Sequence, residues 1–158
     1  MKALVINGPN INLLGVREPA IYGAQNFDAL LALVQRAGRE LGYEEVAQYQ
    51  SNHEGDLVDA IQRALGTYDG IVINPAAYTH TSVAVLDALK AVGLPVVEVH
   101  ISDVSQREDF RQVSYARLAC FATVMGEGIE GYRTALRLLA ERLRAGDGQG
   151  APTSAPTA

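Results

Sequence analysis

The sequence predicts an α/β domain in which helices cover both faces of a five-stranded parallel sheet. β-prone runs alternate with helical segments along the chain, the order expected of parallel strands joined by crossover helices. The middle run, Gly70-Ile71-Val72-Ile73-Asn74, is apolar without alternation, the mark of a strand buried on both sides. With 158 residues, 48% of them apolar and 20% charged, the chain has the size and composition of one domain with its own core.

Residues 3–7 are the first predicted strand, stopped by Gly8-Pro9. Residues 10–25 follow with scattered Gly and Pro and no periodicity, and a loop of that length in a compact domain marks a functional lid or a disordered segment. Phe27, Leu30, Leu31, Val34, Ala37 and Leu41 then recur at helical spacing, with Gly42 where a terminating glycine belongs. Residues 46–50 form the second strand. Ser51-Asn52-His53-Glu54 has the capping-box pattern and opens a helix through Leu57, Val58, Ile61 and Leu65, which gives His53 a structural place. The third strand, 70–74, leads to a helix over 83–92 closed by Gly93, and then to a fourth strand over 95–100. A short helix over 105–112, a fifth strand over 120–125 with Cys120 as a core residue, and an amphipathic helix over 129–143 complete a single domain, 1–144. The tail, 145–158, is mostly Gly, Ala, Pro, Ser and Thr, has little to bury and is expected to be disordered. Strands and helices in this order suggest a flavodoxin-like doubly wound sheet, whose ligands sit beyond the carboxyl ends of the strands.

Composition narrows the partners. A net charge of −5 with no basic tract argues against nucleic acid and anionic membranes. No stretch approaches the roughly 20 apolar residues of a membrane helix, and the apolar run over 3–6 is too short for a signal-peptide core. A lone cysteine forms no internal disulfide, which points to a reducing, cytoplasmic setting. His53, His80 and His100 lie far apart without ligand-type spacing, so no metal site is expected. Gly126-x-Gly128-x-x-Gly131 formally fits a dinucleotide fingerprint, but it follows the last strand, with no further strand to bring a ribose-binding acid; the reading is a tight strand-to-helix turn.

The predicted carboxyl edge gathers polar groups. Asn10 follows the first strand, with Arg17 and Tyr22 on the long loop; Asn74 ends the third strand and His80 comes soon after. Glu98, His100 and Ser102 are spaced i, i+2, i+4 and so point to one face, while Arg107 and Arg111, four apart, are expected to share a face of the short helix. A net-positive rim on an acidic protein suits a small anion.

These residues carry a specific resemblance. Asn7-Gly8-Pro9-Asn10-Ile11-Asn12-Leu13-Leu14-Gly15 with Arg17-Glu18-Pro19 and Tyr22-Gly23 resembles the opening signature of type II 3-dehydroquinate dehydratases. Asn74-Pro75, Thr79-His80-Thr81-Ser82, Glu98-Val99-His100-Ile101-Ser102, Arg107-Glu108-Asp109-Phe110-Arg111, Ser114-Tyr115 and Gly126-Glu127-Gly128-Ile129-Glu130-Gly131-Tyr132 continue it, over residues 2 to 143 or so. Several ordered motifs across a whole domain are much harder to meet by accident than one short pattern. The resemblance implies a cofactor-free hydro-lyase that removes the C1 hydroxyl and a C2 proton from 3-dehydroquinate, through an enolate, to give 3-dehydroshikimate. Such a reaction serves the shikimate pathway of aromatic amino-acid synthesis or quinate breakdown.

By the same resemblance Tyr22 is the base and Arg17 activates it. One unit charge about 4 Å away, at an effective dielectric of about 20, contributes roughly 4 kcal/mol, which is adequate to favour the anion of a phenol that ordinarily titrates near pH 10; desolvation opposes part of it. His100 matches the general acid, oriented by Glu98, and Asn10 the group that stabilises the enolate oxygen with a water. Ile101 and Ser102 match the carboxylate-binding turn; Asn74, His80 and Arg111 match ring-hydroxyl contacts, with Arg107 in support. Asp87 matches a residue supplied by a neighbouring subunit, which implies an oligomer, in this family a dodecamer built from trimers. The chain departs from the family pattern at Asp103-Val104-Ser105-Gln106, at Ala76 where Gly is usual and at Val16 where Thr is common. Asp103 adds charge beside the presumed carboxylate pocket and predicts weaker substrate binding. Two other readings differ in class: a non-catalytic flavodoxin-like module for a flavin or nucleotide, for which Gly8-Pro9-Asn10-Ile11-Asn12 is a poor phosphate loop, and an inactive relative kept for assembly.

Overall fold

The computed structural model describes residues 1–16 and 25–147. In chain order its elements are β1 (Lys2–Asn7), α1 (Phe27–Glu40), β2 (Glu45–Gln50), α2 (Glu54–Ala64), β3 (Gly70–Asn74), α3 (Val83–Val92), β4 (Val96–His100), β5 (Ala122–Met125) and α4 (Gly131–Asp147), with short 3-10 turns between them. The strands form one parallel sheet in the order β2-β1-β3-β4-β5, the flavodoxin-like arrangement expected from the alternation of elements.

The period-two alternation of each strand divides the core. Ala3, Val5, Val72, Val97 and Val99 project to one face and are covered by Leu30, Leu33, Val34 and Ala37 of α1 and Leu136, Leu139 and Ala140 of α4. Leu4, Ile6, Ile71, Ile73 and Val96 project to the other, against Leu57 and Ile61 of α2 and Val85 and Leu89 of α3. Each fully buried Val, Leu or Ile among them contributes about 1.5–3 kcal/mol. Local signals agree with this packing: the Asn26 side chain accepts the Ala29 N–H at 2.8 Å to start α1, and Ser82 Oγ accepts the Val85 N–H at 2.9 Å to start α3. The left-handed Gly93 closes α3 as expected.

Four expectations are corrected. The capping box is not formed: His53 is the residue before α2, and Ser51 Oγ accepts its N–H at 3.0 Å while donating to Asp56 Oδ2 at 2.7 Å, so the serine organises the turn from one position further out. The helix expected over 105–112 is two separate 3-10 turns, Val104–Gln106 and Asp109–Arg111, with Arg107 extended between them. Asp103 Oδ1 accepts from Ser105 N at 3.0 Å and Gln112 Nε2 donates to Arg107 O at 3.0 Å, side-chain bonds that compete with a continuous helix. β5 begins at Ala122 rather than at 120; Cys120 instead ends the 3-10 turn Ala116–Ala119, half-buried, with its thiol donating to Ala116 O at 3.2 Å. Residues 145–147 belong to α4 rather than to the tail, and 148–158 lie outside the described residues. No described helix is long and apolar enough to cross a membrane.

Candidate active site

Strand order reverses between β1 and β3, and a cavity of about 480 Å³ opens at the carboxyl ends of the strands. Its walls include Asn10, Asn74, His80, His100, Ile101, Ser102, Arg107 and Arg111, so the structure brings together eight of the residues singled out in the sequence. Glu98 lies beneath it. Arg17 and Tyr22 lie outside the described residues; Leu13, Leu14 and Gly15, which lead toward them, line the same cavity. Asp87 is not in the wall: it sits on an exposed position of α3.

The two loops on either side of the reversal are held close by Gly8. Its N–H donates to Asn74 O at 2.8 Å, and a Cβ there would stand 2.5 Å from Pro75 O, so any side chain would push the loops apart. Asn10 then takes a left-handed conformation, φ 69°, which asparagine tolerates better than most residues, and its N–H donates to Asn52 Oδ1 at 2.9 Å. Asn52 was not singled out in the sequence; it is a turn residue whose role depends on β2 lying beside β1.

Beneath the cavity, on the α2 and α3 side of the sheet, Glu98 is fully buried with a carboxylate that meets five donors. Oε1 accepts from Thr79 Oγ1 at 2.5 Å, Ser114 Oγ at 2.6 Å and His100 Nε2 at 2.9 Å; Oε2 accepts from Arg117 Nε at 3.1 Å and Thr123 Oγ1 at 3.3 Å. Burial alone would raise the Glu98 pKa, but the hydrogen bond and charge of His100 and the hydroxyls of Ser114 and Thr79 outweigh it, and the group falls from 4.5 to about 2. An ionised carboxylate only accepts, so Nε2 of His100 carries a hydrogen, and Nδ1 is the ring position left for exchange with the cavity. The same logic sets His80: Nδ1 lies 2.7 Å from Val113 O, a carbonyl that only accepts, so in the neutral ring Nε2 is the acceptor. Thr79, Ser114, Arg117 and Thr123 had no role in the sequence reading. Thr79 and Ser114 stand inside the quoted motifs, but nothing in linear spacing shows four hydroxyl and guanidinium donors converging on one carboxylate.

On the α1 and α4 side a second network backs the wall. Asn7 and Asn74 are register partners on β1 and β3, and the buried Tyr132 of α4 lies against both. Asn74 Nδ2 donates to Tyr132 Oη at 2.9 Å, Tyr132 Oη donates to Asn7 Oδ1 at 2.6 Å, and the Ala76 N–H donates to Asn74 Oδ1 at 3.1 Å. Ala76 reaches that position with φ 52°, a left-handed conformation that costs a non-glycine residue roughly 1–2 kcal/mol.

Arg107 and Arg111 reach the cavity without sharing a helix. Glu108, between them, accepts from Arg111 Nε at 2.8 Å and lies 3.6 Å from Arg107 Nε, so the pair is braced by a carboxylate. Asp103 is also placed differently from expectation: its carboxylate accepts from the N–H and the hydroxyl of Ser105, at 3.0 and 2.6 Å, and it is absent from the cavity wall. Cys120 is chemically quiet; burial first, and the Glu98 charge second, push its thiol up to about 12.

A family model described as Dehydroquinase class II matches residues 1–140. The 3-dehydroquinate dehydratase of Corynebacterium glutamicum (strain R) is 52% identical over 139 residues, 88% of this chain and 95% of that one. That of Clostridium perfringens (strain ATCC 13124) is 48% identical over 145 residues, 91% of this chain and all of that one. Among solved structures, the type II dehydroquinase of Butyrivibrio crossotus superimposes with a TM-score of 0.84 at 48% identity, covering 88% of this chain and 97% of that one. The flavin- or nucleotide-binding alternative is not favoured by any of these matches. With a matching fold and most of its length in common with them, the chain belongs to the class II dehydroquinase family.

Proposed function

We propose that the chain dehydrates 3-dehydroquinate to 3-dehydroshikimate by anti elimination through an enolate. The observation that carries this reading is the pairing of His100 with a buried, ionised Glu98 in a cavity ringed by Asn10, Asn74, His80, Ser102 and Arg111. A volume of about 480 Å³ accommodates one small polar ring.

Tyr22, its anion favoured by Arg17, takes the C2 proton; electrons move onto the ketone oxygen, where Asn10 and a water stabilise the enolate. Collapse of the enolate expels the C1 hydroxyl, which leaves as water with a proton from His100. Glu98 holds the ring in place through its Nε2–H, which leaves Nδ1 as the position facing the transfer. Backbone N–H groups at Ile101 and Ser102 take the substrate carboxylate, and Asn74, His80 and Arg111 take ring hydroxyls, with Arg107 beside Arg111. Asp87, exposed in the single chain, completes the cavity of a neighbouring subunit in a dodecamer built from trimers. The protein works in the cytoplasm, without a cofactor.

The test is turnover of 3-dehydroquinate followed by the absorbance of the conjugated product. Tyr22→Phe abolishes it while substrate still binds, because the phenolic oxygen is the base; near-normal turnover would remove Tyr22 from the mechanism. Arg17→Ala lowers the rate and moves the basic limb of the pH profile upward, and an unchanged profile would count against activation by the guanidinium.

A further inference from the structure

The network behind Asn74 contains one group whose direction is not adjustable. Side-chain amides can be turned over and a hydroxyl can rotate, but the Ala76 N–H is a backbone donor and only an acceptor can face it. That requirement propagates. Asn74 must offer Oδ1 to Ala76, so Nδ2 is the atom that meets Tyr132; Tyr132 Oη must accept there, so its own hydrogen goes to Asn7 Oδ1. Asn7 keeps this orientation although its Nδ2, buried, has no acceptor among the described residues. The chain of bonds therefore has one polarity, from β3 through α4 to β1, and it leaves Asn74 with one amide hydrogen that no described residue accepts.

We propose that Tyr132 is a positioning residue for substrate recognition: it locks the Asn74 amide so that the cavity is offered an N–H, and a ring oxygen of the substrate is read there as an acceptor. The inference rests on the reading of the cavity as the dehydration site. Tyr132 is fully buried and never meets the substrate; it acts through Asn74. Without the phenolic oxygen the Ala76 N–H still holds Oδ1, but Nδ2 loses its internal acceptor, so the amide is fixed at one end only and its remaining N–H is no longer aimed by two bonds.

The test is a double-mutant cycle on the full chain. Tyr132→Phe raises the KM for 3-dehydroquinate about tenfold, the size of one neutral hydrogen bond, with kcat held within about threefold. In an Asn74→Ala background the same substitution changes KM less than about twofold. Tyr43→Phe is the control for losing a buried phenol: its hydroxyl donates to Leu136 O at 2.7 Å, away from the cavity wall, and KM stays as in the parent. An equal KM effect of Tyr132→Phe in both backgrounds, or loss of active protein with KM unchanged, overturns the proposal. Should Tyr132→Phe not fold, Asn7→Ala carries the same prediction through the other end of the chain of bonds. Absence of turnover in the parent would overturn the dehydratase reading but not this one, which hydrogen exchange of the Asn74 side-chain amide then decides. One slowly exchanging proton, released in the Tyr132 variant, sustains the lock; two protons exchanging alike in the parent rule it out.

Discussion

The two faces of the sheet support the same cavity by opposite means. On the α2 and α3 side the support is charged, a buried carboxylate divided between His100 and Arg117. On the α1 and α4 side it is neutral, an amide–phenol–amide chain whose one ionisable group, the Tyr132 phenol, burial holds in its protonated form. A hydrogen bond to a charged group contributes about 1.5–3 kcal/mol against about 1 for a neutral one, and a buried charge deprived of partners is heavily destabilising. The difference separates tasks: the charged side can hold and release a proton, and the neutral side can orient a contact without responding to pH.

That contrast can be broken in descending order of effect. Glu98→Leu removes the acceptor of five donors and leaves the buried Thr79 hydroxyl and His100 ring N–H without it, so it should cost about 3–5 kcal/mol in urea unfolding as well as most of the activity. A loss below about 1 kcal/mol would mean the cluster does not depend on its carboxylate. The second effect is a pH dependence. Because the Glu98 pKa is depressed in the folded state, from 4.5 to about 2, its stabilisation is present above pH about 4.5 and is lost as pH falls toward 2. The size is about 3 kcal/mol, so the stability gap between the parent and Glu98→Gln should narrow by roughly that amount over the same window. A gap that stays constant would show that the carboxylate is not held ionised.

Smaller effects sharpen the neutral side and the rim. Ala76→Gly relieves the left-handed backbone at the start of the Asn74 network and should gain about 0.5–1 kcal/mol after the added chain entropy of glycine is subtracted; a destabilised variant would show that the methyl group packs more than it strains. Asp103→Asn is expected to leave substrate affinity within about twofold, because the asparagine oxygen still serves Ser105 and the side chain is outside the cavity wall. A clear gain in affinity would restore the electrostatic penalty first expected from its position in the sequence.

Much of this molecule was legible before any coordinates. The apolar run over 70–74, the spacing of Leu30, Val34 and Ala37, and Gly93 after Val92 name strand, helix and stop through local rules that need no partner. The signals failed where side chains compete with backbone for hydrogen bonds, as at Ser51 and across 103–112, because the winner there depends on groups several residues away. Strand ends and motifs pointed to the cavity residues, yet the four-residue spacing put Arg107 and Arg111 on a helix they do not share.

By itself the sequence determined the sheet and its carboxyl edge, since periodicity and strand ends are local properties of the chain. Tertiary structure alone decided who stands behind the wall. Arg117 reaches Glu98 across 19 positions and Tyr132 reaches Asn7 across 125. Such partners are selected by burial, where an unsatisfied polar atom is costly, and burial is a property of the packed molecule rather than of any segment in it.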